Sequence, residues 1–444
     1  MLRGGWGRAM IHRTFWKQLL WSALILAFLP IFLIAAILPA RRRKLVWGSM
    51  PLISNHYWSK ALADAGWESE TLMEAHFSIN RRDDFDRYFE DFAPAFLPLT
   101  LRRGLGACIA TVYVLRCARV VHISFDGLTL GTSWLWRTES LLFRLAGIRA
   151  VVMPFGGDFY RYSEVVDTSM RYGLLASYPQ LALREALLRR KRDHWVKHAD
   201  AMIAGMMIDG LGRWDVTLNQ FFHIDTEAWL PKTDYSQADG GAAEPVRILH
   251  TPNHRGFKGT EYLVDAVEQL RREGLNIELT MLEGVPNSKV QAEMQDVDIL
   301  AEQFLATGYA LSGIEGMASG LPVLANLEHE AYTRVFRRYG FLNECPILST
   351  TPETLADHLR LLVKNPKLRE ELGRAGRSFV EKYHSYAMAQ YMFGAIYERI
   401  LEAKDVDLIN LFHPLKSDYN RRTPLVRHPL VENRLPADSA YRQC

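Results

Sequence analysis

Apolar and polar positions alternate along most of the 444 residues, but one run breaks the rule. Residues 19–40 hold 22 uncharged positions in a row, LLWSALILAFLPIFLIAAILPA. About 20 apolar residues make a helix long enough to span a bilayer core. Pro30 lies mid-run, so a re-entrant hairpin is the alternative to a spanning helix. After Arg41-Arg42-Arg43-Lys44, short apolar runs alternate with amphipathic stretches. Leu45-Val46-Trp47, 120–124 and 150–153 predict buried strands, and 56–65 and 136–145 predict helices. Residues 181–199 predict a basic helix with Arg184, Arg189, Arg190, Lys191, Arg192 and Lys197. That helix either lies on an anionic membrane or presents a solvated face. Residues 231–245, PKTDYSQADGGAAEP, have no period and predict a linker. A second unit then opens with a strand at 246–251. A helix follows at 260–273, with Leu263, Ala266, Val267 and Leu270 on one face, and then a strand at 277–282. Thr351-Pro352 predicts a helix start, and 368–401 is mostly helical. The polar tail 402–444 drapes over the body or is disordered. The alternation predicts an α/β protein with parallel sheets covered on both faces. The expected domains are 45–230 and 246–401, behind a basic segment 1–18 and the apolar run.

Two stretches of the second domain carry candidate chemistry. After its first strand come Pro252-Asn253-His254-Arg255-Gly256-Phe257-Lys258-Gly259-Thr260. Helix N-termini favour anions, Arg255 can fork onto two phosphate oxygens, and Lys258 adds a point charge. Gly256 and Gly259 let a backbone approach closely. This spells a diphosphate site, yet it lacks the spacing of a Walker loop. Residues 297–325, VDILAEQFLATGYALSGIEGMASGLPVLA, predict strand, loop, short helix and strand. Gly320 ends that helix and Pro322 blocks it. Glu315 falls in its first turn, where a hydroxyl-bearing ligand would satisfy a costly buried carboxylate. A plain strand–helix–strand unit with a buried glutamate is the alternative.

EGMASGLPV resembles the C-terminal signature of family 4 retaining glycosyltransferases, E-A-M-A-x-G-x-P-V. RILHTPNHRGFKGTEYLVDAVEQL is similar to the same family's R…K-G region. The resemblance implies a GT-B fold of two Rossmann-like domains facing a cleft. It implies a nucleotide-sugar donor held by the second domain through Arg255, Lys258, Gly259, Thr307, Gly308 and Glu315. Glu315 matches the glutamate that binds the ribose. The family's sugar-binding glutamate, eight positions earlier, is replaced by Thr307, which keeps a hydroxyl but loses the charge. Glu302-Gln303 partly echoes a D-Q-x-x-x-G loop found in some members. Arg255 and Lys258 would stabilise the departing diphosphate, with no metal and no cofactor. In the first domain Phe155-Gly156-Gly157-Asp158 stands where the family has a His-Gly-x-Asp-like loop. Asp158 takes the matching acidic position, as a catalytic group or a loop cap. His122, Asp126 and Gly157 are acceptor-side candidates, though a lone histidine in a strand, like His122, is more often structural, and Asp126 carries the same alternative.

Composition narrows the class. The chain is 48% apolar and 23% charged, as folded proteins are, and its net charge of +3 argues against a general nucleic-acid binder. Cys108, Cys117, Cys345 and Cys444 are scattered without a C-x-x-C pair, which fits neither a zinc site nor a disulfide framework and suits a reducing compartment. Basic residues nearly balance across the apolar run, Arg3, Arg8, Arg13 and Lys17 against the cluster at 41–44, and the cluster's closeness to the run favours a body on the cytoplasmic side. The expected protein is a membrane-anchored transferase with a membrane-associated acceptor. A degenerate nucleotide-sugar-binding protein and a nucleotide-sugar epimerase are the competing classes. Alanine at Arg255 or Lys258 is expected to abolish transfer with the fold intact.

Overall fold

The computed structural model describes residues 6–77 and 80–442; Arg3 and Cys444 lie outside them. The chain forms two units. The first comprises Met1–Phe159, Leu187–Ile203 and Tyr397–Lys404, and the second Tyr160–Ala186, Ala204–Ile396 and Asp405–Cys444.

The first unit is built on a parallel sheet of β1 (Lys44–Ser49), β2 (Ser69–Met73), β3 (Arg87–Tyr88), β4 (Ala118–Ile123), β5 (Arg149–Val152) and β6 (Ala201–Met202). Their order is β3-β2-β1-β4-β5-β6, the doubly wound order of a Rossmann sheet. Leu45, Val46 and Trp47 are fully buried, as a central parallel strand covered on both faces requires. Its helices are α1 (Trp6–Ile37), α2 (Ile53–Asp64), α3 (Leu99–Cys117) and α4 (Thr138–Ala146). α5 (Thr168–Ser177) belongs to the second unit, and α6 (Glu185–His198) carries the chain back to the first. Pro30 sits inside an unbroken α1, which removes the hairpin alternative.

The second unit holds a parallel sheet of β7 (Val246–His250), β8 (Ile277–Met281), β9 (Ile299–Gln303), β10 (Val323–Ala325) and β11 (Leu348–Ser349). The order is β11-β10-β9-β7-β8, so the winding reverses between β7 and β9. In open α/β sheets that reversal, at the carboxyl ends of the strands, is where ligands bind. The unit's helices are α7 (Arg255–Lys258), α8 (Thr260–Arg272), α9 (Asn287–Asp296), α10 (Leu311–Ala318), α11 (Glu330–Tyr339), α12 (Leu355–Lys364), α13 (Pro366–Tyr383) and the first part of α14 (Tyr386–Glu402), which from Tyr397 on belongs to the first unit. Leu263, Ala266, Val267 and Leu270 of α8 enter the core, the face that their spacing predicts.

Several expected boundaries move. The stretch 351–354 is a turn, with Thr354 N–H donating to Thr351 O at 3.1 Å, and α12 starts only at Leu355. The helical stretch 368–401 is two helices. His384, at the break, bonds Phe222 O at 2.7 Å and the Tyr309 hydroxyl at 3.0 Å. The expected linker 231–245 lies within the second unit: Lys232 Nζ donates to Val297 O at 2.5 Å, and Arg369 Nη2 to Ser236 O at 3.1 Å and Ala238 O at 2.6 Å. The tail drapes over that unit too. Leu430 and Leu435 join its core, and Asn433 Nδ2 donates to Cys345 O at 2.7 Å. Lys191 and Arg192 of the basic helix are buried, because one face of α6 packs on the first unit.

Candidate functional site

Lys258 ends α7, directly behind β7. Gly259 follows in the left-handed region at φ +78°, turning the chain into α8. A Cβ there would lie 3.3 Å from Leu305 Cγ, so the turn is pressed against the loop after β9. This packing buries Lys258 and aims it along the strand ends. Its Nζ donates to Glu302 Oε1 at 2.5 Å and to Gln303 Oε1 at 3.0 Å. An ammonium has three N–H donors. Two are thus engaged among the described residues, leaving one for an anion.

Glu302, which the sequence marks only through the partial D-Q-like echo at Glu302-Gln303, is the partner that holds Lys258. It lies on the last turn of the pleat in β9, 3% exposed, and its Oε1 also accepts from Ser312 Oγ at 3.1 Å. Its Oε2 is buried with no hydrogen-bond partner among the described residues. Besides that echo, the sequence shows an acidic residue closing the apolar run Ile299-Leu300-Ala301. Glu315 stands nearby in the second turn of α10, not the first, since α10 starts at Leu311. It is 3% exposed, and Asn287 Nδ2 donates to its Oε1 at 2.8 Å. Burial pushes its carboxyl up to about 7, against the Asn287 bond and the charge of Lys258. Gln303 pins the loop by donating to Gly308 O at 2.8 Å and Ala306 O at 3.1 Å. His250 ties the strand ends together: Nδ1 bonds Ala301 O at 2.7 Å and Nε2 the Thr260 hydroxyl at 2.8 Å. Burial lowers its pKa to about 4, so it stays neutral.

Other expected donor residues take different positions. The Arg255 guanidinium turns to solvent, its Nε on Glu261 at 2.8 Å and its Nη1 on Glu283 at 2.6 Å. Its side chain is 39% exposed against 5% for Lys258, so Lys258 alone of the two is buried. Thr307 gives its hydroxyl to Asp167 Oδ2 at 2.7 Å. Asp167 caps α5 by accepting from Ser169 N at 2.9 Å and Met170 N at 3.2 Å. Gly308 adopts φ +126° and donates to Asn326 O at 2.8 Å. α5 itself packs on α7: a Cβ on Gly173 would lie 3.3 Å from Phe257 Cα, and one on Gly256 3.0 Å from Ser177 Oγ. Both glycines therefore serve helix packing, and Gly256 is covered rather than open to a phosphate.

The first unit holds its own polar cluster after β4 and β5. Asp158 is fully buried and accepts from Phe125 N and Phe155 N at 2.9 Å and Gly156 N at 3.1 Å. Burial, then the charge of Asp126, raises its pKa to about 7. Both oxygens are occupied by backbone, so the carboxyl fixes two loops, the capping role rather than the catalytic one. Asp158→Ala would strand two buried N–H groups and a part-buried one, at about 1–3 kcal/mol for each buried group. The expected outcome in thermal unfolding is a large fall in Tm, not a stable inactive protein. Asp126 pairs with the buried Lys191 at 2.5 Å. Gly157 lies between Phe155 and Asp158, and a Cβ there would meet Phe155 Cε2 at 3.3 Å. His122 is stacked on Trp47 at 3.5 Å between centroids, and its Nε2 bonds the Tyr397 hydroxyl at 2.8 Å. Burial lowers its pKa to about 3. It is a core histidine.

Two Rossmann-like units with parallel sheets are those of the GT-B class of fold, and the second holds a buried lysine on Glu302 and Gln303 at its strand reversal. Residues 253–379 match the family model described as Glycosyl transferases group 1. That match spans Lys258, Glu302 and Glu315 and supports a glycosyltransferase. Among solved structures, the sucrose-phosphate synthase of Thermosynechococcus elongatus is similar at 15% identity and a TM-score of 0.52, covering 82% of this chain and 100% of its own. TarM is similar at 9% identity and a TM-score of 0.50, covering 80% and 98%. At these identities the likeness is one of fold. No curated protein sequence matches the chain.

Proposed function

We propose that the chain is a retaining glycosyltransferase of the family 4 kind, moving a sugar from a nucleotide-sugar to a membrane-associated acceptor at the cytoplasmic face. The observation that carries this is Lys258, buried at the strand reversal with one N–H to spare. As the anomeric C–O bond breaks, negative charge grows on the diphosphate, and Lys258 stabilises that charge more in the transition state than before it. Glu302 and Gln303 hold the ammonium in place at no cost in reorganisation. Glu315 accepts the ribose hydroxyls, and the loop through Thr307 and Gly308 borders the sugar. The role is metal-independent, because a fixed cation sits where a metal would otherwise act. The acceptor is a glycolipid, a lipid-linked saccharide or a growing polysaccharide, a reading supported by the apolar α1.

The test is nucleoside diphosphate release from UDP-, GDP- and ADP-sugars by protein in native membranes with endogenous lipid. Release from one donor establishes transfer and names the donor. Binding without release favours a degenerate binding protein, and free altered sugar without acceptor favours an epimerase. Arg255→Ala is the informative companion. Its exposed ion pairs are each worth about 0–1 kcal/mol. The variant is expected to keep its Tm and lose no more than about tenfold in donor turnover.

A further inference from the structure

The apolar run Gln18–Ile37 has a mean hydropathy of 2.6 over 20 residues, long enough to cross a bilayer. Its packing gives it another disposition. Ser22, Ile25, Phe32, Ala35 and Ala36 are buried, at helical spacing on one face. That face lies along α3 and α4 of the same unit. Near its start, Trp134 N donates to Ser22 Oγ at 3.0 Å and Trp134 Nε1 to Gln18 Oε1 at 3.1 Å. Near its end, Arg116 donates to Leu38 O and Pro39 O at 2.9 Å each, and Arg42 to Leu115 O at 2.8 Å and Ala36 O at 3.0 Å. Beside Ser22, Gly104 of α3 makes room for the Trp21 ring, whose Cζ3 would lie 1.2 Å from a Cβ, and Ile25 and Phe32 are the buried residues in between.

The folded body therefore accompanies the apolar run over its whole length. If the run stood across a bilayer, α3 and α4 would enter the hydrocarbon with it. They would bring Arg102, Arg103, Arg116, Arg137 and Arg144, charges that a membrane interior strongly disfavours. The opposite face of α1 presents Leu20, Leu26, Ile31, Ile34 and Ile37 to the outside. On α4, the exposed Leu141 and Leu145 lie among the exposed Arg137 and Arg144, and Arg41 and Arg43 are exposed just beyond α1. Apolar side chains rimmed by arginines, on a face with no apolar partner among the described residues, are complementary to a layer of acyl chains under anionic headgroups.

We propose that α1 is an in-plane anchor. The first unit lies on an anionic membrane with the outer face of α1 immersed at the headgroup–acyl boundary, and the chain does not cross at residues 18–37. This rests on the membrane-acceptor reading only for its biological use, and its test needs no turnover.

The experiment uses the full chain bound to phosphatidylcholine vesicles with and without phosphatidylglycerol. A fluorophore is attached in separate variants at Leu20→Cys, Ala27→Cys and Ile34→Cys, and nitroxide lipids report its depth. The expected result is the same shallow depth at all three positions, with binding strengthened by phosphatidylglycerol and weakened by salt. A depth that reaches the bilayer centre at position 27 and differs at 20 and 34 would overturn the proposal in favour of a spanning helix. Absence of vesicle binding would overturn it too, as would a stable dimer in detergent that hides the three labels and ignores lipid. Leu26→Glu with Ile34→Glu, both on the outer face, is expected to keep Tm and cut vesicle partitioning by at least about tenfold. Unchanged partitioning would refute the assignment of that face. Donor turnover measured alongside separates the two readings, since its loss with an intact depth profile counts against the transferase and not the anchor.

Discussion

Lys258→Ala is expected to lower donor turnover by about a hundred- to a thousandfold, the range seen when a preorganised stabiliser of developing charge is removed. The loss should fall on kcat and kcat/KM together, because the charge it meets appears in the transition state. The same substitution leaves Glu302 buried beside no cation, which typically costs about 3–5 kcal/mol of stability. Turnover alone would therefore confuse lost catalysis with lost fold. The double variant Lys258→Met with Glu302→Gln removes both charges and is expected to recover most of the Tm and none of the turnover. If Lys258→Met with Glu302→Gln transfers sugar at the normal rate, Lys258 does not act on the diphosphate.

Glu315→Gln is expected to move binding and stability in opposite directions. The folded carboxyl titrates at about 7 against an ordinary 4.5. Between those values the folded state holds a proton that the unfolded chain has released, so stability falls as pH rises through the window. Glutamine keeps the shape and stays neutral. It should raise stability by about 1–3 kcal/mol near pH 8 and change little near pH 5, read as Tm against pH. Asp158 contributes a slope of the same sign, so the difference between variant and wild type is the quantity to follow. Nucleotide affinity should fall by about tenfold or more, since a bond to a charged acceptor is worth about 1.5–3 kcal/mol. An equal Tm at both pH values would show that Glu315 is not strained by burial in the free protein.

The strand–helix alternation made the α/β class legible, because buried parallel strands such as 45–47 and 323–325 are short apolar runs between polar ones. What stayed hidden had weak local signals. β3 and β6 are two residues each, too short for any period. α3 holds Gly104 and Gly106, which disfavour a helix locally and are tolerated because Trp21 and the Phe89 carbonyl need the space. At the site, Lys258 and Glu315 were legible as charges beside glycines and buried strands. The direction of Arg255 was not, because Glu261 and Glu283 decide it from α8 and the loop after β8. Nor could Thr307 reveal its partner, Asp167, which lies 140 positions earlier.

His122 has a consequence for biosynthesis. Its hydrogen-bonding partner, Tyr397, belongs to the same unit yet is made long after the six strands of that sheet have left the ribosome. The second unit in turn includes 405–444, synthesised after the last piece of the first. Each unit thus waits for a piece of chain that lies on the far side of the other in order of synthesis. Non-local closure of this kind slows folding and prolongs the exposure of apolar surface. A fragment cut at 230 or 246 is accordingly expected to aggregate, and a nascent chain to depend on chaperones until the stretch that carries Leu430 and Leu435 has been made.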